Sequence, residues 1–391
     1  MKKNMRTMRN YWLSMAFVAG LSLLTACGSD DDNNPGPMPP SSDTPETLQG
    51  VITEDVTLES GKTYKLSGQY TVKDGATLTI EPGVTIEAID DQIIDYILIE
   101  QGGKINAQGT AENPIVMTAE LKEPGAWGGI HICGRAHTNA EGKVGSSEIG
   151  NATYGGDIED DNSGILRYVR VEYGGYTINE ETEANGFTFY GVGSGTTIDH
   201  CEAYMGSDDG FEWFGGSVNA SYLVSINNSD DSFDWTEGWN GTATNLVAYQ
   251  APEDEIGYAC DCLIEADNNE NNYNATPMSN PTLTNLILVG NGSDTEGVRL
   301  RRGTGVNINN AIFCNKGKIL VVESEQTENL LKNGDSSIKN TTISGTVNSE
   351  KNIWNNDSFL ASEGNSVDSN LSLSLDDIKA QYTWLSGSWV K

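Results

Sequence analysis

"SDDGFEWFGGSVNASYLVSINNSDDSFDW" (207–235) contains one seven-residue phrase twice, SDDGFEW at 207–213 and SDDSFDW at 229–235, offset by 22 residues. The two copies share Asp-Asp, Phe, an acid and Trp, and the stretch between them, "SYLVSINN" (221–228), alternates like a strand. Similar runs recur before and after it: "LRYVRVEYGG" (166–175), "DHCEAYMG" (199–206), "TNLVAYQ" (244–250), "TNLILVGNG" (284–292), "NNAIFCNKG" (309–317) and "KNTTISG" (339–345). Aligning their inward positions gives a ladder of Val169, Cys201, Leu223, Leu246, Leu286, Ala311 and Thr341, with steps of 32, 22, 23, 40, 25 and 30 residues. A coil of about 22 residues with loops of varying length is the unit of an all-β, single-stranded, right-handed parallel β-helix, whose rungs stack at about 4.8 Å. An antiparallel sandwich would show hairpin dipeptides and turn signals every 8–12 residues or so, and few are present. Asn245, Asn285, Asn310 and Asn340 each precede a ladder position. Stacked amides at a bend can satisfy one another's hydrogen bonds, a structural role.

Several longer stretches carry a resemblance. "GATLTIEPGVTIEA" (75–88), "ILIEQGGKINAQGTAENPIVMTA" (97–119), "AWGGIHICGRA" (126–136) and "YGGDIEDDNSGILRYVRVEYGG" (154–175) occur in that order. With the acid repeats they resemble a large family of β-helix proteins of Bacteroidetes-type bacteria, distantly similar in fold to pectate lyases. That resemblance implies a secreted or lipid-anchored solenoid and leaves the activity open.

The first residues are read as an address. Lys2, Lys3, Arg6 and Arg9 precede the apolar run "YWLSMAFVAGLSLL" (11–24), which is short for a membrane span. "LTAC" (24–27) resembles a bacterial lipobox, which implies cleavage before Cys27 and acylation of that residue; several acyl chains give lasting attachment. Residues 1–26 are therefore the signal segment and 27–50 an acidic, Pro-rich tether unable to bury a core. Residues 51–345 are the β-helix and 346–391 its last rungs and cap. Residues 51–75 are expected to cover the first end, and a short helix with Trp384 and Trp389 the other. Acids directly after Cys27 resemble a surface-export signal, so the expected location is the outer membrane, facing outward. Loss of residues 1–26, which hold four basic and no acidic residues, moves the formal charge from −33 to −37. Such a chain repels nucleic acid and anionic lipid, and suits divalent cations, cationic ligands or neutral glycans. Five cysteines follow Cys27, at spacings that form no disulfide framework; buried free thiols are expected, and a bridge between Cys260 and Cys262 stays open.

With a 22-residue rung, Phe211 lies over Phe233 and Trp213 over Trp235, pointing inward, while Glu212 and Asp234 point outward. Asp208 then neighbours Asp230, and Asp209 neighbours Asp231. Like charges about 4.8 Å apart repel by about 0.9 kcal/mol at the dielectric of water and about 3.5 kcal/mol at an effective dielectric of 20. Relief comes from backbone donors at turns, from proton uptake, or from a bound cation. Three readings follow: a turn ladder, a Ca²⁺ site on Asp208, Asp209, Glu212, Asp230, Asp231 and Asp234, or a catalytic set. The catalytic reading is a calcium-dependent polysaccharide lyase or a glycosidase using Asp208, Asp209, Asp230 and Asp231. "SDDGF" is similar to part of the polygalacturonase pattern, but the Gly-His-Gly and Arg-x-Lys of that family are absent. Arg299 and Arg301 in "GVRLRRG" (297–303) are the available bases, or else a salt-bridge patch. Trp239, Tyr176 and Arg302 are candidate ligand contacts, with a packed Trp239 as the alternative. The leading expectation is a non-catalytic binding or scaffold module for a glycan or an outer-membrane uptake complex.

Overall fold

The computed structural model describes residues 46–179 and 182–391. The signal segment, Cys27 and most of the tether lie outside the described residues. Three parallel sheets wind around one apolar core. The first strand, Thr47–Ile52, begins within the stretch read as tether, because "TLQGVI" already supplies apolar side chains to the opening rung. Its second half pairs with Tyr70–Val72, which pairs with Ile97–Ile99 and then with Ile130–Ile132. The second sheet runs Val56–Leu58, Leu78–Ile80, Ile105–Ala107 and Gly164–Leu166. The third runs Thr63–Leu66, Thr85–Ala88, then Ile115–Met117 beside Val169–Val171. Residues 51–75 are thus rungs rather than a separate cover for the first end, as their alternating apolar positions allow.

From Gly164 onward the second and third sheets are the two halves of one bent strand. A single residue with positive φ makes the bend: Tyr168, His200, Tyr222, Asn245, Asn285, Asn310 and Asn340 in successive rungs. The next residue in each rung faces the core, and Val169, Cys201, Leu223, Leu246, Leu286, Ala311 and Thr341 pair in unbroken register. Asn suits the left-handed bend because its short amide tolerates that region. The amides also bond along the stack, Asn285 Nδ2 donating to Asn245 Oδ1 at 2.9 Å and Asn310 Nδ2 to Asn285 Oδ1 at 2.7 Å. Aromatic rings take the same position in the three earlier rungs, with centroids 4.4 Å apart for Tyr168–His200 and 4.3 Å for His200–Tyr222.

In the remaining sheet the strands Phe187–Tyr190, Phe211–Phe214 and Phe233–Thr236 follow one another. Phe187, Phe211 and Phe233 form a continuous ring stack, with centroids 4.8 and 5.6 Å apart. All five described cysteines are buried free thiols.

The end of the chain departs from expectation. Trp354 and Phe359, flanking and within the short helix Asn356–Ala361, join the core at the last rungs. Trp384 and Trp389 do not lie over that end. After the helix Leu375–Gln381 the chain returns along the outside of the bent strands. It does so because their outward residues Val224, Val247 and Ile287 are apolar and need cover, which Ile378, Leu385 and Trp389 provide. The buried Arg170 guanidinium fastens this strap by donating to the Ser388 and Trp389 carbonyls, while Glu202 accepts from the Lys391 N–H.

Candidate metal-binding acid column

The seven-residue phrase ends in a short strand whose alternate residues face inward and outward. Phe211 and Trp213 therefore fill the core, and Glu212 is forced to the outer side in register with Asp234. The register continues to Glu265 and then Arg299, so one outward column reads Glu212, Asp234, Glu265, Arg299. Glu265 belongs to a third, divergent copy of the phrase, "CDCLIEA" (260–266), in which Asp261 keeps the first acid and Cys262 replaces the second. Sequence reasoning missed it because the loop before it lengthens the step and Ile and Ala replace Phe and Trp.

Upstream of each strand the second acid of the phrase makes a turn ladder. Asp209 Oδ1 accepts the Asp231 N–H at 2.9 Å, and Asp231 Oδ1 accepts the Cys262 N–H at 2.7 Å. Asn185 occupies the same place one rung earlier, its Oδ1 accepting from Asp209 N–H and its Nδ2 donating to Glu212. The turn reading is thus realised, but it occupies only one oxygen of each Asp. The neighbouring loop packs tightly here: Gly175 has a φ of +95°, and a Cβ on it would lie 2.5 Å from the Asp208 nitrogen.

The remaining oxygens crowd together. Ligand atoms of Asp209, Glu212 and Asp234 lie within 4.8 Å of one another. So do those of Asp209, Asp230 and Asp231, and those of Glu183, Asp208 and Asp230. Asp231, Cys262 and Glu265 form a fourth group with a thiol in it. Asp208, Asp209, Glu212 and Asp231 are all less than a tenth exposed. Asp234 is half-buried, and its Oδ1 is shielded from solvent without a hydrogen-bond partner.

Burial is the main cause of the electrostatics, and neighbouring carboxylates add to it. Asp208 is pushed up to about 9, by burial first and by Asp230 second. Asp209, Glu212, Asp231 and Asp234 are all pushed well above the ordinary carboxylate range by the same causes. Asp230 is also raised, although a hydrogen bond with Asp208 offsets part of the shift. Without a cation the column relieves its repulsion by holding protons.

The other expected site residues have different fates. Arg299 pairs with Glu265 and Glu323, each at 3.1 Å. Arg301 pairs with Asp267 at 2.8 Å and with Glu265. Both guanidinium groups are therefore committed to the salt-bridge patch, and neither is a free base. Arg302 pairs with Asp267 at 2.8 Å and borders a groove of about 460 Å³ that Tyr273, Arg299 and Arg301 also line. Tyr176 is half-buried and lines a separate groove beside Ile89 and Ala126. Trp239 is not a ligand contact: it is 1% exposed, stacks on Trp213 at 4.5 Å, and donates from Nε1 to the Val218 carbonyl. The turn around it folds inward because the indole fills space between the Trp213 and Trp235 rungs.

The oxygen-only group of Asp209, Glu212 and Asp234, with one buried oxygen lacking a donor, fits a hard divalent cation such as Ca²⁺. No curated protein matches the chain. The pectate-lyase-like β-helix domain family matches residues 50–390. With parallel strand pairing from rung to rung over most of that span, the chain belongs to the pectate-lyase-like β-helix domain family.

Proposed function

We propose that this protein is a non-catalytic binding module, lipid-anchored through Cys27 on the outward face of an outer membrane, that engages a glycan or an uptake complex through a Ca²⁺-loaded acid column. The observation that carries this reading is the convergence of Asp209, Glu212 and Asp234 around the orphaned Asp234 Oδ1. Asp208, Asp230 and Asp231 are the further oxygen donors nearby. Calcium supplies the charge that these oxygens lack. It also lets a chain of formal charge −33 approach an acidic polysaccharide that would otherwise be repelled. The exposed Tyr273, in the groove bordered by the Arg302–Asp267 pair, offers a ring to the same glycan.

The test is retention of the domain on immobilised polygalacturonate or alginate with Ca²⁺ and with chelator. Retention that requires Ca²⁺ and is lost in Asp234→Asn is expected; no retention under either condition contradicts the glycan reading.

A second reading, a lyase or glycosidase using Asp208, Asp209, Asp230 and Asp231, draws support from Asp208, which holds a proton up to about 9 beside Asp230 and so suits a general acid. Against it stands the pairing of Arg299 and Arg301 with carboxylates. New unsaturated or reducing ends released from the same polysaccharides would favour the enzyme over the binding module.

A further inference from the structure

The bend column changes character halfway along the solenoid, from the rings of Tyr168, His200 and Tyr222 to the amides of Asn245, Asn285 and Asn310. The change coincides with the path of the C-terminal strap. Trp389 packs edge-on against Tyr168 and His200, with centroids 5.7 and 5.2 Å away, and Trp384 packs edge-on against Tyr222 at 5.2 Å. Beyond Tyr222 the strap no longer covers the column, and a groove of about 220 Å³ opens beside the amides.

Three kinds of surface meet there. Ile312, with Val247 and Ile287 nearly buried beneath the strap beside it, supplies an apolar floor. Tyr382 and the half-exposed Trp384 supply aromatic walls. The amide ladder supplies a polar edge with a direction, since each Nδ2 donates to the Oδ1 of the preceding rung. Among the described residues, the ladder leaves the Asn245 Nδ2 donor at one end and the Asn310 Oδ1 acceptor at the other without partners. No charged side chain lines the groove.

We propose that this groove is a sugar-binding site for one pyranose unit of a neutral glycan. A pyranose has an apolar face suited to an indole and a rim of hydroxyls that both donate and accept, which the amide edge matches. An uncharged ligand follows from the lining, which has no ion-pair partner for a uronate or an amine. A single unit follows from the volume, below the roughly 300–1,000 Å³ of sites for drug-sized ligands. The site lies on a different sheet from the acid column and does not depend on it.

The experiment is titration calorimetry of the intact domain with β-1,4-linked hexamers of glucose, mannose and xylose, with and without chelator. Binding of at least one hexamer at a millimolar or lower Kd is expected, unchanged by chelator. Trp384→Ala is expected to weaken it at least tenfold. Because Trp384 also holds the strap against Tyr222, Tyr382→Ala is measured beside it, with a several-fold loss expected while the strap contacts remain. Absence of binding by all three hexamers, or binding unchanged in both variants, overturns the proposal. Chelator-sensitive binding assigns the sugar to the acid column and overturns it too.

Discussion

Replacing Trp239 with Ala is expected to destabilise the domain by about 3–5 kcal/mol, the usual cost of removing a buried Trp. The side chain is 1% exposed, its ring stacks on Trp213 at 4.5 Å and tilts against Trp235 at 5.8 Å, and its Nε1 is bonded to Val218. Truncation opens a cavity between two rungs, where the backbone ladders prevent collapse. It also leaves the Val218 carbonyl without this donor. Urea unfolding followed by far-ultraviolet circular dichroism measures the change, with the exposed Tyr273→Ala as a control expected to shift stability by less than about 0.5 kcal/mol. Because rungs stack nearly one-dimensionally, the loss should be concentrated in the rungs around 211–239. A change below about 1 kcal/mol for Trp239→Ala would return this residue to the surface as a ligand contact.

The second large effect is an inverted pH dependence of the calcium-free domain. The carboxyls of the acid column have folded pKa values above their unfolded ones, so their contribution to stability is greatest when they are protonated. It is fully present below the unfolded value near 3.8 and is lost as pH rises through the folded value, about 9 for Asp208. The calcium-free domain should therefore gain thermal stability as pH falls from 9 towards 5. Carboxylates whose pKa is lowered by lysines, such as the half-buried Glu87 and the exposed Glu120 beside Lys65, oppose this only below their own ordinary range. Calcium should reverse the trend. At a concentration one hundred times its Kd it adds about 2.7 kcal/mol to the folded state. Asp234→Asn should stabilise the calcium-free domain at pH 8 by at least about 1.4 kcal/mol, the equivalent of one unit of raised pKa, since Asp234 must take up a proton to be buried and the amide need not. The same change should flatten the pH profile and remove most of the calcium effect. A calcium-free domain whose stability falls steadily from pH 9 to 5 would contradict the buried-carboxyl account.

The solenoid was legible wherever side-chain chemistry repeats at the period of the backbone. The ladder from Val169 to Thr341 matches the observed pairing at every rung. Phe211 stacks on Phe233 as the twin acid phrases require. Legibility failed where the period was interrupted or the decisive contact was distant in sequence. Glu265 was hidden by the loop before it. Tyr168 and Tyr222 escaped notice as bend residues because bulky rings rarely take positive φ; their position directly before the ladder was the available signal. Trp239 sits among glycines and polar residues that resemble an exposed turn, and only its partners two strands away show that it is core. The strap could not be read locally either, since its partners, such as Arg170, lie about 220 residues earlier in the chain.

The acid column is not a local feature either. Its separate phrases are unexceptional turn chemistry, and the column exists only because three rungs share one register. Whether that column holds calcium is measured most directly by titrating the chelator-treated domain with Ca²⁺ in a calorimeter at pH 7.5, beside Asp234→Asn. The account predicts saturable binding of at least one ion per chain in the native domain, weakened at least tenfold in the variant. Heats indistinguishable from dilution, or equal affinity in the two proteins, would contradict it.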